Sequence, residues 1–200
     1  MTCRLGILIS GRGSNFQAIA HAIQSGKLPN ARIAIVLSNK ADAEGLIEAV
    51  GQNLPTRLVK NDLEILQTLS QHRVDLVVLA GYNRILSTDL VDAFENRLLN
   101  IHPSLLPAYG GKGMVGMRVH KAVIEAGESE SGCTVHLVTR DVDAGPILGQ
   151  ARIAISSSDT PETLAQKVLQ EEHKLYPAVI GRYIADNLIP QQEALCFDTV

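Results

Sequence analysis

The chain has 200 residues, 46% of them hydrophobic, and its 18 basic and 21 acidic side chains give a net charge of −3. These values suit one globular domain and exclude the basic stripe that nucleic-acid binding requires. The three cysteines, Cys3, Cys133 and Cys196, form no CxxC pair, which argues against a disulfide framework or a zinc site. The first apolar run is too short for a signal peptide or a membrane span, so we predict a cytoplasmic protein with no membrane partner.

Apolar runs alternate with helical patterns through the first half of the chain. Residues 5–9 predict a buried strand, apolar residues then recur at helical spacing from Phe16 to Ile23, and Gly26 ends that helix. The same reasoning predicts strands at 33–37, 57–59 and 74–80 and helices at 43–50 and 63–70. This alternation predicts a Rossmann-like α/β fold, with a mostly parallel twisted sheet and helices on both faces.

The second half is less regular. Residues 98–101 predict a strand, 120–126 the end of a helix, and 133–138 and 150–155 further strands that pair antiparallel. A long helix begins near Thr160 and Pro161, a capping residue followed by the residue preferred at the first helical position. We expect this helix to reach Tyr176 and then to kink or restart at Pro177.

A glycine-rich turn follows the first predicted strand. Gly11 and Gly13 let the backbone approach a ligand closely, and Ser14 and Asn15 add hydrogen-bonding side chains at a helix start. A dinucleotide fingerprint would need a third glycine where this chain has Phe16, and the GKS or GKT of a Walker A loop is absent. A capped helix with a flexible turn and a site for one phosphate, without magnesium, both remain open.

The segment Asn-Ile-His-Pro-Ser-Leu-Leu-Pro at 100–107 is the most informative. On a strand, Asn100 and His102 project from the same face, roughly 6–7 Å apart, at the carboxyl edge where open α/β sheets bind ligands. Spacing alone leaves a structural role and a catalytic role open.

Several motifs in order resemble one family. The segment at 100–107 resembles the active-site segment of the folate-dependent formyltransferases, and 80–86 is similar to their folate-site loop, which usually has Met where this chain has Asn83. The turn at 11–15 and residues 38–43 resemble the phosphoribosylglycinamide formyltransferase branch. Ser-Gly-Cys-Thr-Val-His at 131–136 and Asp-Val-Asp-Ala-Gly-Pro at 141–146 complete a likeness that extends to about residue 187.

The resemblance implies the formyltransferase fold and a one-carbon transferase of purine biosynthesis. Such an enzyme passes the formyl group of 10-formyltetrahydrofolate, its co-substrate, to the amine of glycinamide ribonucleotide, giving formylglycinamide ribonucleotide and tetrahydrofolate. No metal is required, because the formyl carbon is already activated. The alternatives are formyltetrahydrofolate hydrolase or another formyltransferase, and a non-catalytic nucleotide-binding module. A weak homodimer is compatible with the sequence.

The resemblance also implies roles for single residues. Asn100 matches the amide that stabilises the oxyanion, His102 the histidine that passes a proton, and Asp143 its carboxylate partner, with Asp141 as the rival. The predicted acceptor-substrate residues are Gly13, Ser14 and Asn15 for the phosphate and Glu172 for the ribose. The predicted folate-binding residues are Arg84, Ile85, Leu86, Asn100, Thr139, Arg140, Asp141, Val142 and Asp143.

These roles divide one domain, residues 1–200, into a phosphate-binding and substrate-binding half at 1–99 and a catalytic and folate-binding half at 100–190. We expect the remaining histidines to be structural, with His136, on the strand face of Thr134, in a supporting position at most. The loop at 108–118 is longer and richer in glycine than the loop that follows the same Ser-Leu-Leu-Pro segment in the family it resembles.

Overall fold

The computed structural model describes residues 2–188, and Cys196 lies outside them. Within these residues seven strands and six helices follow one another. The strands are β1 Cys3–Ile9, β2 Ala31–Ser38, β3 Thr56–Leu58, β4 Leu76–Leu79, β5 Leu98–His102, β6 Glu130–Leu137 and β7 Ile147–Ala154. The helices are α1 Ser14–Gln24, α2 Glu44–Gly51, α3 Asp62–Gln71, α4 Thr88–Ala93, α5 Met117–Glu125 and α6 Pro161–Asn187.

The described strands form one sheet in the order β3-β2-β1-β4-β5-β6-β7. The first five strands in this order, β3, β2, β1, β4 and β5, are parallel to one another. In contrast, β6 is antiparallel to both β5 and β7. The predicted Rossmann-like sheet with an antiparallel C-terminal part is confirmed. Because the strand order reverses between β1 and β4, their carboxyl ends open a crevice of the kind in which α/β proteins bind ligands.

Alternate residues of the central strands supply two separate cores. In β4, Leu76 and Val78 belong to a core shared with α1, α5 and α6, whereas Val77 and Leu79 belong to a second core with α3 and α4. A strand covered on both faces is apolar at every position, which explains the unbroken apolar run of β4. The prediction of helices on both faces is thereby confirmed.

The last helix differs from the prediction. It does not restart at Pro177, because α6 is a single helix of 27 residues that includes this proline. Its start is as predicted, with the Thr160 hydroxyl accepting from the Thr163 backbone N–H and the Thr163 hydroxyl accepting from the Thr160 N–H. Tyr176 and Val179, on either side of the proline, are buried in the same core. This packing outweighs the loss of one backbone hydrogen bond, so the helix continues.

The sequence pattern does not predict α4. Its N-cap Ser87 accepts a hydrogen bond from the backbone N–H of Leu90, but only six helical residues follow. So short a helix has too few turns for its apolar spacing to be recognised.

The two described cysteines are buried. Cys3 and Cys133 are free thiols, and burial raises the pKa of each to about 12. Such thiols stay protonated and unreactive at neutral pH. None of the helices in residues 2–188 combines the length and the apolar character needed to cross a membrane.

The buried hydroxyl of Tyr176 should stabilise the fold. It lies 3.0 Å from the backbone oxygens of both Leu79 and Leu99, and so connects α6 to β4 and β5. Removing this buried donor with Tyr176→Phe should lower the free energy of unfolding by about 1–2 kcal/mol, measured by urea titration. The control is Tyr109→Phe, which removes a hydroxyl that donates to Glu128 at the surface. This variant should change the free energy of unfolding by less than about 0.5 kcal/mol. Equal losses in both variants would contradict the assigned role.

Candidate functional site

A cavity of about 660 Å³ opens at the carboxyl ends of β1, β4 and β5. It brings together most of the residues predicted for the site. Those on its wall are Ser14, Asn15, Arg84, Ile85, Leu86, Asn100, His102, Thr139, Arg140, Val142, Asp143 and Glu172. Gly13 and Asp141, although predicted for the site, are not part of the wall.

His102 and Asp143 lie against each other on this wall. Nδ1 of His102 is 3.5 Å from Oδ2 of Asp143, and Nε2 of the same ring is 2.8 Å from the backbone oxygen of Tyr109. Each ring nitrogen therefore faces an oxygen that accepts hydrogen bonds, so a proton on either nitrogen has a partner. Asp141 is exposed. Asp143 is thus the carboxylate that reaches the imidazole.

The backbone holds Asp143 in an uncommon conformation. Its φ of 56° lies in the left-handed region, which residues with a side chain seldom adopt and which Asp tolerates better than most. The backbone N–H of Gly111 donates to its carboxylate at 2.9 Å. The segment after β5 therefore touches both partners, through a carbonyl on His102 and an amide on Asp143.

Two histidines outside the predicted catalytic set also line the cavity: His120, which the sequence predicts to be structural, and His136, for which it predicts at most a supporting position. Nε2 of His136 is 3.1 Å from Nδ2 of Asn100 and 3.6 Å from Oδ1 of Asp143. His120, on α5, is 5% exposed, and its Nδ1 has no partner among residues 2–188. Burial lowers the pKa of both rings. His136 stands directly opposite Asn100 in the β5–β6 ladder, a register that no local sequence pattern reveals.

The glycine turn presents an open helix start to the cavity. Gly13 precedes α1 with a φ of 72°, and a side chain there would lie 2.8 Å from Cα of Gly45. No side chain caps α1, so its first backbone N–H groups are available to an anion. Arg12 and Lys112 line the same cavity and add positive charge.

A buried hydrogen bond joins the glycine turn to the last helix. Nδ2 of Asn15 donates to Oε2 of Glu172 at 2.7 Å, and both residues are 7% exposed. Burial raises the pKa of the Glu172 carboxyl, and the hydrogen bond from Asn15 offsets part of that shift. Oδ1 of Asn15 has no partner among the described residues, which leaves an acceptor for a ligand.

The position that departs from the family pattern belongs to a polar network. The Ser10 hydroxyl donates to Oδ1 of Asn39 at 2.6 Å, and Nδ2 of Asn39 donates to Oδ1 of Asn83 at 3.1 Å. The backbone N–H of Asn83 donates in turn to the Ser10 hydroxyl at 3.0 Å. The amide of Asn83 therefore ties the loop after β4 to the ends of β1 and β2.

A family model matches most of the chain that forms this cavity. The model described as formyl transferase matches residues 3–180. The chain belongs to the formyl transferase family. Among residues 2–188 of this formyl transferase no group of three or more side chains is placed to hold a metal ion.

The chain is also similar to named members of this family. The chain is similar to phosphoribosylglycinamide formyltransferase, chloroplastic, of Arabidopsis thaliana, with 41% identity over 195 residues, 92% of this chain and 66% of that protein. It therefore spans about two thirds of that relative's length. The crystal structure of phosphoribosylglycinamide formyltransferase from Brucella melitensis is 40% identical with a TM-score of 0.85, over 92% of this chain and 97% of that one.

One solved relative carries a different name. The structure of a formyltetrahydrofolate deformylase from Pseudomonas syringae is 26% identical, with a TM-score of 0.83, over 93% of this chain and 62% of that one. Because transferases and a deformylase share this fold, the fold alone does not separate the two activities.

The buried carboxyl of Glu172 should make stability depend on pH. Because burial raises its pKa in the folded state, ionisation costs stability as pH rises from the ordinary pKa of 4.5 through the raised one. Glu172→Gln, which keeps an oxygen for Asn15, should therefore unfold with a higher free energy than the original protein at pH 7 and an equal one near pH 4. Denaturant titrations at both pH values measure this difference.

Glu171→Gln supplies the control, since this neighbouring carboxylate is partly exposed and pairs with Lys174 at 2.8 Å. It should alter stability little at either pH, because surface ion pairs contribute little. A Glu172→Gln protein less stable than the original at pH 7 would contradict the burial argument.

Proposed function

We propose that this chain transfers the formyl group of 10-formyltetrahydrofolate to the amine of glycinamide ribonucleotide. The products are formylglycinamide ribonucleotide and tetrahydrofolate, in de novo purine biosynthesis. The observation that carries the proposal is the grouping of Asn100, His102 and Asp143 on one cavity wall. The names of the relatives support the choice of the ribonucleotide as acceptor.

In the proposed mechanism the amine nitrogen attacks the formyl carbon, and the formyl oxygen becomes the oxyanion of a tetrahedral intermediate. The amide N–H of Asn100 donates to this oxyanion. Protonated His102 stabilises the same oxygen or passes its proton to the departing folate nitrogen, while Asp143 holds the ring and takes up the proton that the amine loses. The attacking amine thus loses one proton, and the folate nitrogen gains one.

The acceptor would bind at the start of α1. The backbone at Gly13 and the side chains of Ser14 and Asn15 would hold its phosphate, and Glu172 would bind its ribose hydroxyls. The contact between Asn15 and Glu172 supports this assignment, because it brings the two predicted subsites together. It also joins the proposed halves of the domain, 1–99 and 100–190.

The folate would occupy the other part of the cavity. The backbone at Arg84, Ile85 and Leu86 would hydrogen-bond the pterin, with the loop from Thr139 to Asp143 closing its pocket. Exposed apolar side chains at the cavity mouth, such as Ile85 at 59%, support an apolar ring system as the ligand.

A folate hydrolase is the second candidate, supported by the likeness to the deformylase structure. Water would then replace the amine, and the chain would have no use for a phosphate-binding turn. A cytoplasmic location, a weak homodimer, and the lack of nucleic-acid and membrane partners stay predictions.

Turnover of the donor should require the ribonucleotide. The assay follows the folate absorbance of 10-formyltetrahydrofolate with and without glycinamide ribonucleotide. His102→Ala should lower kcat by about 10²–10⁴-fold, the usual contribution of a general acid. His21→Ala, on the exposed face of α1, should leave kcat unchanged. Loss of the formyl group without the ribonucleotide would favour the hydrolase, and no turnover by folded protein would reject both activities.

The glycine turn should control the affinity for the acceptor. Gly13→Ala places a methyl group against Gly45 in a left-handed backbone, so the turn must shift and displace the N–H groups proposed to bind the phosphate. We expect the KM for glycinamide ribonucleotide to rise about 10- to 100-fold, the equivalent of one hydrogen bond to a charged group, with the KM for the folate little changed. Gly51→Ala, where the methyl group meets only open space, is the control. Equal increases in both KM values would point to general disruption instead.

A further inference from the structure

The side chain of His136 contacts two groups whose hydrogen-bonding properties are known. Its Nδ1 lies 2.8 Å from the backbone oxygen of Leu137, and its Nε2 lies 3.1 Å from Nδ2 of Asn100. The residue is only 2% exposed, so bulk water does not compete for either nitrogen. The mechanism proposed above uses neither contact.

The first contact determines the tautomer of the ring. A backbone oxygen can only accept, so Nδ1 of His136 must carry a hydrogen. In the neutral ring Nε2 then has a lone pair and can only accept. The atom of Asn100 that faces Nε2 must therefore be a donor, which is the amide nitrogen and not the amide oxygen. The tautomer thus selects one of the two orientations that the nearly symmetric shape of an amide allows.

The surroundings of His136 favour the neutral ring. Burial lowers its pKa most strongly, and the nearby imidazole of His102 acts in the same direction. The hydrogen bond to Leu137 and the carboxylate of Asp143 oppose this shift without reversing it. At neutral pH the ring is therefore uncharged, and Nε2 remains an acceptor.

Asn100 has no other side-chain hydrogen bond within residues 2–188, so His136 alone holds its amide. Its Nδ2 has two hydrogens, of which one is bound to His136 and the other is left for the cavity. In the reversed orientation, Oδ1 of Asn100 would place its lone pair against the lone pair of Nε2. The amide would then present to the cavity no donor that is held in place by His136.

We propose that His136 is a positioning residue that orients the amide of Asn100, so that a fixed N–H donor faces the oxyanion of the formyl group. This role rests on the proposed formyl transfer and deepens it. Because the donor is set before the reaction begins, the transition state does not have to reorient it.

Two variants separate the acceptor at Nε2 from the bulk of the ring. His136→Gln keeps an acceptor near Nε2, whereas His136→Leu fills a similar volume without one. Removing one oxyanion donor costs up to about 10²–10³-fold in kcat, so a free amide that still samples the right orientation should cost about 10- to 100-fold. We expect this loss of kcat in His136→Leu, while its KM for each substrate stays within about threefold of the original value. His136→Gln should recover at least part of the lost kcat. A His136→Leu protein with full kcat would overturn the proposal.

A double-mutant cycle tests whether His136 acts through Asn100. In an Asn100→Ala background the change His136→Leu should have little further effect, because the amide that it orients is gone. The same fold loss in both backgrounds would show an independent role and overturn the proposal. Thermal melting of each variant establishes that the proteins compared are folded.

The tautomer can be measured without any substrate. Nitrogen-15 NMR of the histidine side chains in the original protein should show His136 protonated at Nδ1 and not at Nε2, with its signal assigned through the His136→Gln variant. A ring protonated at Nε2 would overturn the positioning role whether or not the chain transfers formyl groups. Failure of the original protein to make formylglycinamide ribonucleotide would instead count against the proposed function.

Discussion

The antiparallel pairing of β5 with β6 is the constraint on which the rest of the site depends. It sets His136 opposite Asn100 and Thr134 opposite His102. Since side chains of paired residues lie on the same face about 5 Å apart, the two polar residues of β5 each have a neighbour from β6 on that face. A register shift of one residue would turn these partners to the other face and dismantle the cluster around Asp143.

The same pairing anchors the chain as it leaves β5. The fully buried hydroxyl of Thr134 donates to the backbone oxygen of Ser104 at 2.7 Å and accepts from the backbone N–H of Leu106 at 3.0 Å. Gln150, on β7, donates to the same hydroxyl at 2.9 Å and to the Leu106 oxygen at 2.9 Å. The turn that follows His102 is therefore fixed to the antiparallel half of the sheet. The segment beyond it contacts His102 and Asp143 through the backbone of Tyr109 and Gly111.

The site includes polar groups that the fold itself does not satisfy. Asn15 and His120 each have a buried atom without a partner among the described residues, and Glu172 is buried as an acid whose ionisation is unfavourable. Each such group costs the folded state free energy, and Asp143 adds a left-handed backbone. A ligand bound in the cavity would supply the partners that the protein does not.

The sequence by itself determined the alternation of strands and helices, the parallel sheet, the glycine turn and the shared face of Asn100 and His102. These features follow from local periodicities and from the carboxyl-edge rule for parallel sheets. The family resemblance favoured Asp143 over Asp141, but only the tertiary structure decided that Asp143 meets His102, that His136 faces Asn100, and that α6 continues through Pro177. All three depend on strand register and on packing between segments distant in the chain, and these long-range energies leave no trace in a local pattern of residues.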